Sequence, residues 1–520
     1  RLAKPCGRSY PSPDRFPKPM IQDILIVGSG SAGLIAALSL KKKIPQVKVR
    51  IVRDPDIGVI GVGEGTTPNF PRLLFDYLGI PRKLFYELAE PTWKLGIRFV
   101  WGPRGHFDYT FAPQLDAHWN DLPRPNGFYC DQQFSCVDAP AALMDEGKVF
   151  HRQPDGSPDV QPWHAFHIEN EKFVAMLEKI AVDSGVEIVD GRVDGVERGD
   201  QGVTAVRLDD GRRLEADFFI DSSGFRSELL GKTLEEPFVS FDKTLFCDRA
   251  VVGGWQRGEE PILPYTTAEQ MSTGWCWQIE HEHHINRGYV YCSDMISDDE
   301  AAAEFKKRNP KTPDDPRIVK FRSGCYRRMW VDNVVAIGNS AGFVEPLEAT
   351  ALMIVCSHTQ TLVDFLLHCE LEPTPSMREL YNELTHDTWL DIRDFLGLHY
   401  QLNTALDTPY WKRCREETDL SGIADLLRFY EENGPTGFCR YRMRSSQNDF
   451  GIEGYFVMLV GQQAAYRKRH HATPEEWELW NRHLQQNIRK AKQGLTVQEA
   501  LAYVRHPGWQ WNADRKMATA

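Results

Sequence analysis

The run Asp23-Ile24-Leu25-Ile26-Val27, followed at once by Gly28-Ser29-Gly30-Ser31-Ala32-Gly33, constrains this chain more than any other feature. A short apolar run suited to a buried strand leads into a glycine-rich turn. The apolar positions Leu34, Ala37, Leu38 and Leu40 then predict a helix. Strand, turn and helix in that order open a Rossmann-like dinucleotide-binding fold. Gly28 permits the tight turn, Gly30 lets the backbone approach a pyrophosphate, and Gly33 lets helix and strand pack closely. Ser31 and Ala32 begin the helix, whose free N–H groups and positive dipole end face a phosphate.

A second strand is expected over 47–52. An acidic residue usually ends that strand and grips the adenosine ribose; here Arg53-Asp54 stands there. Asp54 takes that role one residue late, or Arg53 contacts the adenosine half by its charge. The arginine keeps a nicotinamide-phosphate cofactor open as an alternative. Three further segments repeat the strand-then-turn theme or supply glycines for close backbone approach. They are Gly61-Val62-Gly63-Glu64-Gly65, Phe218-Phe219-Ile220-Asp221-Ser222-Ser223-Gly224, and Val334-Val335-Ala336-Ile337-Gly338-Asn339-Ser340. The second follows a hairpin signal at Asp209-Asp210-Gly211.

The 520 residues, 42% hydrophobic and 26% charged, fit a globular α/β body or two closely packed domains. A net charge of −12 excludes nucleic acid as the main partner. The eleven cysteines show no Cys-x-x-Cys pair, which points to a reduced, cytoplasmic setting and no zinc site. No membrane span is expected, and the proline-rich start reads as a flexible leader over 1–20. His281-Glu282-His283-His284 reads as a solvated loop without a metal.

Trp275-Cys276-Trp277-Gln278-Ile279 places two indoles on one face of a strand. Trp93-Lys94-Leu95-Gly96-Ile97-Arg98-Phe99 sets an isolated lysine in a strand-like alternation. With the glycine turns, these features resemble the flavin-dependent tryptophan halogenases. Their Trp-x-Trp-x-Ile-Pro signature is matched except that Glu280 replaces proline. The resemblance runs from about Ile24 to about Trp411.

It implies an FAD-binding Rossmann-like α/β fold over 21–370 with an inserted mixed β-sheet substrate region. A largely helical part over 371–520 would cover the substrate site. FAD contacts are implied at the residues already named and at Val62, Gly63, Glu64, Gly65, Asp221, Gly224, Gly338, Asn339, Pro346 and Leu352. Trp275 and Trp277 would wall the flavin from the substrate. Lys94 would hold hypochlorous acid or its chloramine, because an ammonium is a strong donor and burial can free it as an amine. Glu348 would polarise the oxidant or take the ring proton. Thr350 and Ala351 would bind chloride through backbone amides, although the family pattern has Ser-Thr-Gly where Ala349-Thr350-Ala351 stands. Alanine tolerates positive φ poorly.

Reduced FAD from a separate flavin reductase, O2 and chloride are the implied reactants, and a homodimer is admitted. The implied substrate is an aromatic ring, the indole of tryptophan. Family members acting on free tryptophan clamp its ammonium and carboxylate with residues in the segment matching Asn448 to Gln463, and that clamp is not recognisable here. A peptide-borne tryptophan or another bulky indole or phenol fits that difference. Trp101 and Trp163-His164-Ala165-Phe166-His167 are candidate pocket walls. Two alternatives stand beside this reading. A single-component aromatic hydroxylase would carry aspartate where Asn339 is, and a non-catalytic flavoprotein or peptide-binding partner is suggested by Ala349, Ala351 and Glu280.

Overall fold

The structure, a computed structural model, describes residues 20–58, 63–130, 133–313, 315–445 and 448–511. All but Met20 of the expected leader over 1–20, and the flavin-loop residue Val62, lie outside them.

The opening strand Asp23–Val27 lies inside a six-stranded sheet, between Lys48–Arg53 and Phe218–Asp221, and pairs with both in parallel. Glu187–Asp190 and Val334–Ala336 extend it in parallel, and Trp330–Val331 adds an antiparallel edge. These strands are short and nearly continuously apolar because helices cover the sheet. Ser31–Lys43 packs against the helices Asn170–Asp183 and Thr350–His368. Gly33 has no substitute here: a Cβ on it would lie 2.0 Å from the Gly28 carbonyl oxygen.

The inserted region is a mixed seven-stranded sheet in the order 317–320, 249–256, 284–291, 274–280, 266–271, 96–100 and 107–110. The lysine segment departs from the single strand its alternation suggested. Thr92–Lys94 and Gly96–Val100 are separate strands in different sheets, broken at Leu95, whose N–H donates to the Pro264 carbonyl. This break decides where Lys94 goes. Thr92–Lys94 and Glu64–Gly65 both pair with Ala165–Ile168, so the lysine strand lies beside the second glycine loop.

Beyond residue 370 the described chain is helical, beginning with the 27-residue helix Pro375–Gln401. The Thr473/Glu476 capping box forms as its spacing predicts. Helix Thr350–His368 is long and apolar enough to cross a membrane by length and composition, contrary to the expectation of no such run. It is instead a core element: Leu352, Ile354, Leu362 and Val363 are buried, and it packs against Ser31–Lys43 and Pro375–Gln401. The ten described cysteines are all free.

Candidate active site

Three turns meet at the C-terminal ends of adjacent parallel strands, where open α/β sheets bind ligands. The Ser222 hydroxyl reaches the Val27 and Gly28 carbonyls at 3.0 and 2.9 Å. The Ser340 hydroxyl donates to the Gly224 carbonyl at 3.2 Å. Gly28, Gly224 and Gly338 have φ values of +111°, +68° and +69°, so the turns need glycine.

A dinucleotide fits what these turns leave open. A Cβ on Gly30 would meet nothing within 4 Å. Helix Ser31–Lys43 has no side-chain cap and no acidic residue in its first turn, so the amides of Ser31, Ala32 and Gly33 remain for a phosphate. Asp54 sits at the edge of this region with its carboxylate 3.7 Å from the Arg226 guanidinium. Arg53 turns the other way and is held by Asp190 at 2.6 Å and by Glu178. Two carboxylates neutralise it, which removes the basis for a nicotinamide-phosphate site. Asp221 shapes its turn and does not face the cavity described next. Its carboxylate accepts from the N–H groups of Ser223, Leu229 and Leu230 and from the Ser223 hydroxyl.

Gly63, Glu64, Gly65, Lys94, Trp277, Asn339, Pro346 and Ala351 line one cavity of about 160 Å³. Residues 274 chain positions apart, Gly65 and Asn339 among them, thus share a wall that the sequence motifs only implied. Phe225, Phe321 and Phe343 complete its apolar side, and none of them was singled out as a site residue from the sequence.

Lys94 is fully buried, and its Nζ has no hydrogen-bond partner among the described residues. It stands 5.5 Å from the Phe111 ring centroid. A Cβ on Gly65 would lie 3.1 Å from Nζ, so the amine presses against the second glycine loop. Burial lowers its pKa to about 7, against the opposing pull of the Glu348 charge. Glu64 is half-buried on the wall of the same cavity, and loss of hydration raises its pKa to about 7 despite the Asn170 hydrogen bond.

Glu348 is 3% exposed and hydrogen-bonds His399 Nε2 through Oε1 at 2.7 Å. The next residue, Ala349, has φ +56°, ψ +36° and caps helix Thr350–His368. The positive φ thus falls at Ala349, at a cost of about 1–2 kcal/mol, and not at Ala351, which is helical. Thr350 and Ala351 are the first two helical residues, and no side-chain cap occupies their N–H groups. Ala351 faces the cavity, whereas Thr350 and Leu352 are buried in the core.

The tryptophan strand Gly274–Glu280 forms as expected, and both indoles share a face with centroids 6.0 Å apart. Trp277 lies over Gly288, where a Cβ would fall 2.0 Å from its Cζ2. Trp275 is held by its Nε1–H to Glu345 Oε2 at 2.9 Å, and the Tyr400 hydroxyl donates to the same oxygen at 2.5 Å. Burial raises the Glu345 pKa to about 7. Sequence reasoning overlooked Glu345, His399 and Tyr400. The two partners lie more than 50 residues further on, inside the stretch that the resemblance spans.

A second cavity of about 310 Å³ adjoins Leu95 and is lined by Ala112, Leu143, Val149, Phe150 and Trp163, among others. Of the proposed aromatic walls, Trp163 is part of it. Phe166 and Trp101 are fully buried core residues, and the Trp101 Nε1–H donates to the His399 carbonyl at 3.0 Å.

Of the residues 281–284 expected in a solvated loop, His283 is exposed, but His281 is not. His281 is 1% exposed, with Nδ1 unpartnered among the described residues, because the hairpin lies under the glycine loop. A Cβ on Gly63 would meet His281 Nε2 at 2.4 Å. Glu169, His281 and His284 bring three ligand-type atoms within 4.8 Å. The two imidazoles stack at 4.4 Å with planes 26° apart, so their in-plane lone pairs run side by side. Lys172 Nζ already bonds Glu169 Oε1 at 3.0 Å. The cluster is a poor cradle for a cation.

The family model for tryptophan halogenase matches residues 23–476. The chain belongs to the tryptophan halogenase family. Tryptophan 7-halogenase KtzQ of Kutzneria sp. (strain 744) is 35% identical over 450 residues, covering 80% of this chain and 82% of that protein. Tryptophan 7-halogenase RebH of Lentzea aerocolonigenes is 32% identical, covering 79% and 82%. Among solved structures, MibH, a lanthipeptide tryptophan 5-halogenase, superposes with a TM-score of 0.85 at 36% identity, covering 96% of each chain. Family membership supplies flavin and halide as reactants. The glycine turns, the cavity and the open helix N-terminus fit both.

Proposed function

We propose that this halogenase chlorinates the benzenoid ring of a tryptophan carried in a peptide or comparably elaborated precursor, using FADH2 delivered by a separate reductase. The observation that carries the chemistry is Lys94: a buried amine without a hydrogen-bond partner among the described residues, on the wall shared with the glycine loop and the Ala351 helix start. When bound and reduced, the flavin supplies with O2 and chloride the hypochlorous acid that the protein must direct. The side chains do the rest. Lys94 as ammonium donates to the oxidant oxygen, orients chlorine toward the ring, and protonates the departing hydroxide to water. As chlorine joins the ring carbon, the C–H bond breaks and its proton passes to Glu348. Trp277, on the cavity wall, and Trp275 behind it keep the ring and the flavin apart, so position selects the carbon.

Glu453 supports the substrate class. It is the glutamate of the segment where free-tryptophan enzymes hold the amino acid, yet its oxygens accept from the N–H groups of Gln114, Leu115 and Asp116 at 2.6–2.9 Å. It is therefore engaged in holding that loop. A free ammonium and carboxylate buried without partners cost several kcal/mol, whereas peptide amides need ordinary hydrogen bonds. MibH, whose described substrate is a lanthipeptide, is among the similar structures.

Steady-state comparison of free L-tryptophan with a panel of tryptophan-containing peptides, read by mass spectrometry for chlorine isotopes, tests this. Peptides should be chlorinated at least tenfold more efficiently, and only when a flavin reductase is present. Efficient chlorination of the free amino acid with inert peptides overturns the substrate reading. NADPH oxidation by the chain alone, coupled to product, overturns the two-component reading.

A further inference from the structure

We propose that His399 is a positioning residue for Glu348, holding one shared proton behind the carboxylate that takes the ring proton; this rests on the function proposed above. His399 is fully buried on helix Pro375–Gln401. Its Nδ1 lies 2.8 Å from the Phe395 carbonyl, which can only accept, so Nδ1 carries a proton. The ring is packed between Phe99 and Phe395, with centroids 5.3 and 4.9 Å away, and this fixes its orientation. Nε2 therefore has one orientation available, toward Glu348 Oε1 at 2.7 Å.

That contact requires a proton between the two atoms. With the proton on Nε2, the pair is imidazolium and carboxylate; with the proton on Oε1, both groups are neutral. Either way the pair is uncharged overall, so Lys94 faces a dyad and not an isolated anion. The other titratable groups around it are Lys94, Tyr109 and Glu345.

The arrangement gives the ring proton a defined route. The aromatic C–H bond breaks and its electron pair restores the ring. The proton goes to Oε2 of Glu348, the oxygen that does not face His399. If the shared proton rested on Oε1, it crosses to Nε2 in the same event. Both starting arrangements end with Glu348 as carboxylic acid and His399 as imidazolium. Transfer of one proton to Lys94, left as the amine once hydroxide has departed as water, resets the site.

Histidine-selective ¹⁵N NMR on the full chain, with and without FAD, tests the shared proton. Wild type should show one downfield, exchange-protected imidazole proton that disappears in His399→Gln and shifts in Glu348→Gln. A His399 resonance indifferent to Glu348→Gln overturns the proposal, and this reading stands even if His399→Gln fails to fold. In the halogenation assay, His399→Gln keeps a donor but cannot titrate. It should bind FAD and release hypochlorous acid to a scavenger as wild type does. Its halogenation kcat should fall roughly 10–100-fold at unchanged KM, with one limb of the pH profile lost. Wild-type kcat and pH profile in that variant also overturn the proposal. Failure of wild type to make hypochlorous acid instead strikes the functional reading, while the resonance still decides the dyad.

Discussion

Lys94→Met is expected to abolish ring halogenation, by more than about 10³-fold, while making the protein more stable. Both effects follow from one environment. The amine is fully buried without a hydrogen-bond partner among the described residues, and burial brings its pKa from 10.5 to about 7. At or below neutral pH the folded protein carries a desolvated ammonium, at a cost of roughly several kcal/mol. Methionine fills a similar volume without that charge. The variant should melt about 2–5 °C higher at pH 7 and still bind FAD. The sign of the pH dependence is fixed. The folded pKa lies below the unfolded one, so between about pH 7 and 10.5 the unfolded chain binds a proton that the folded chain has released. Stability from this position rises with pH across that window. The gap in melting temperature between variant and wild type should therefore close as pH rises. Retained chlorination would remove Lys94 from the chemistry, and an unchanged gap would mean the ammonium has a partner.

Glu348→Gln should lower turnover by about 10²–10⁴-fold, the range for losing a general acid–base group, with FAD binding intact. The amide can still hydrogen-bond His399, so the fold at the start of helix Thr350–His368 should persist. Removing the carboxylate also removes the negative end of the dyad, the group that raises the Lys94 pKa. The limb of the pH–rate profile belonging to Lys94 should move to lower pH. A move to higher pH would show that Glu348 acts on Lys94 in some other way. Unchanged turnover would return Glu348 to a purely structural role.

The parts of this site legible in the sequence are those whose physics is local. A strand ending in Gly28, Gly224 or Gly338 declares a turn that needs positive φ. Alternation over Trp275 to Ile279 declares a shared face. Lys94 was marked by resemblance, yet its position depends on the break at Leu95, which seven residues of apparent alternation concealed. What escaped reading is made by contacts across long separations. His399 meets Glu348 across 51 residues, and Tyr400 meets Glu345 across 55. Arg53 stood where a ribose ligand belongs but is drawn aside by Glu178 and Asp190. His281 was misjudged because hydrophilic composition says nothing of a glycine loop lying over it.

Helix Thr350–His368 has a consequence for how the protein must be made. Its covers come from opposite directions along the chain: Ser31–Lys43 precedes it by some 300 residues and Pro375–Gln401 follows it. A ribosome releases this apolar rod before its second cover exists, so a nascent chain paused near residue 370 presents a greasy stripe to chaperones or to other nascent chains. Any shortened gene ending at that seemingly natural boundary should yield aggregate, however complete its dinucleotide fold.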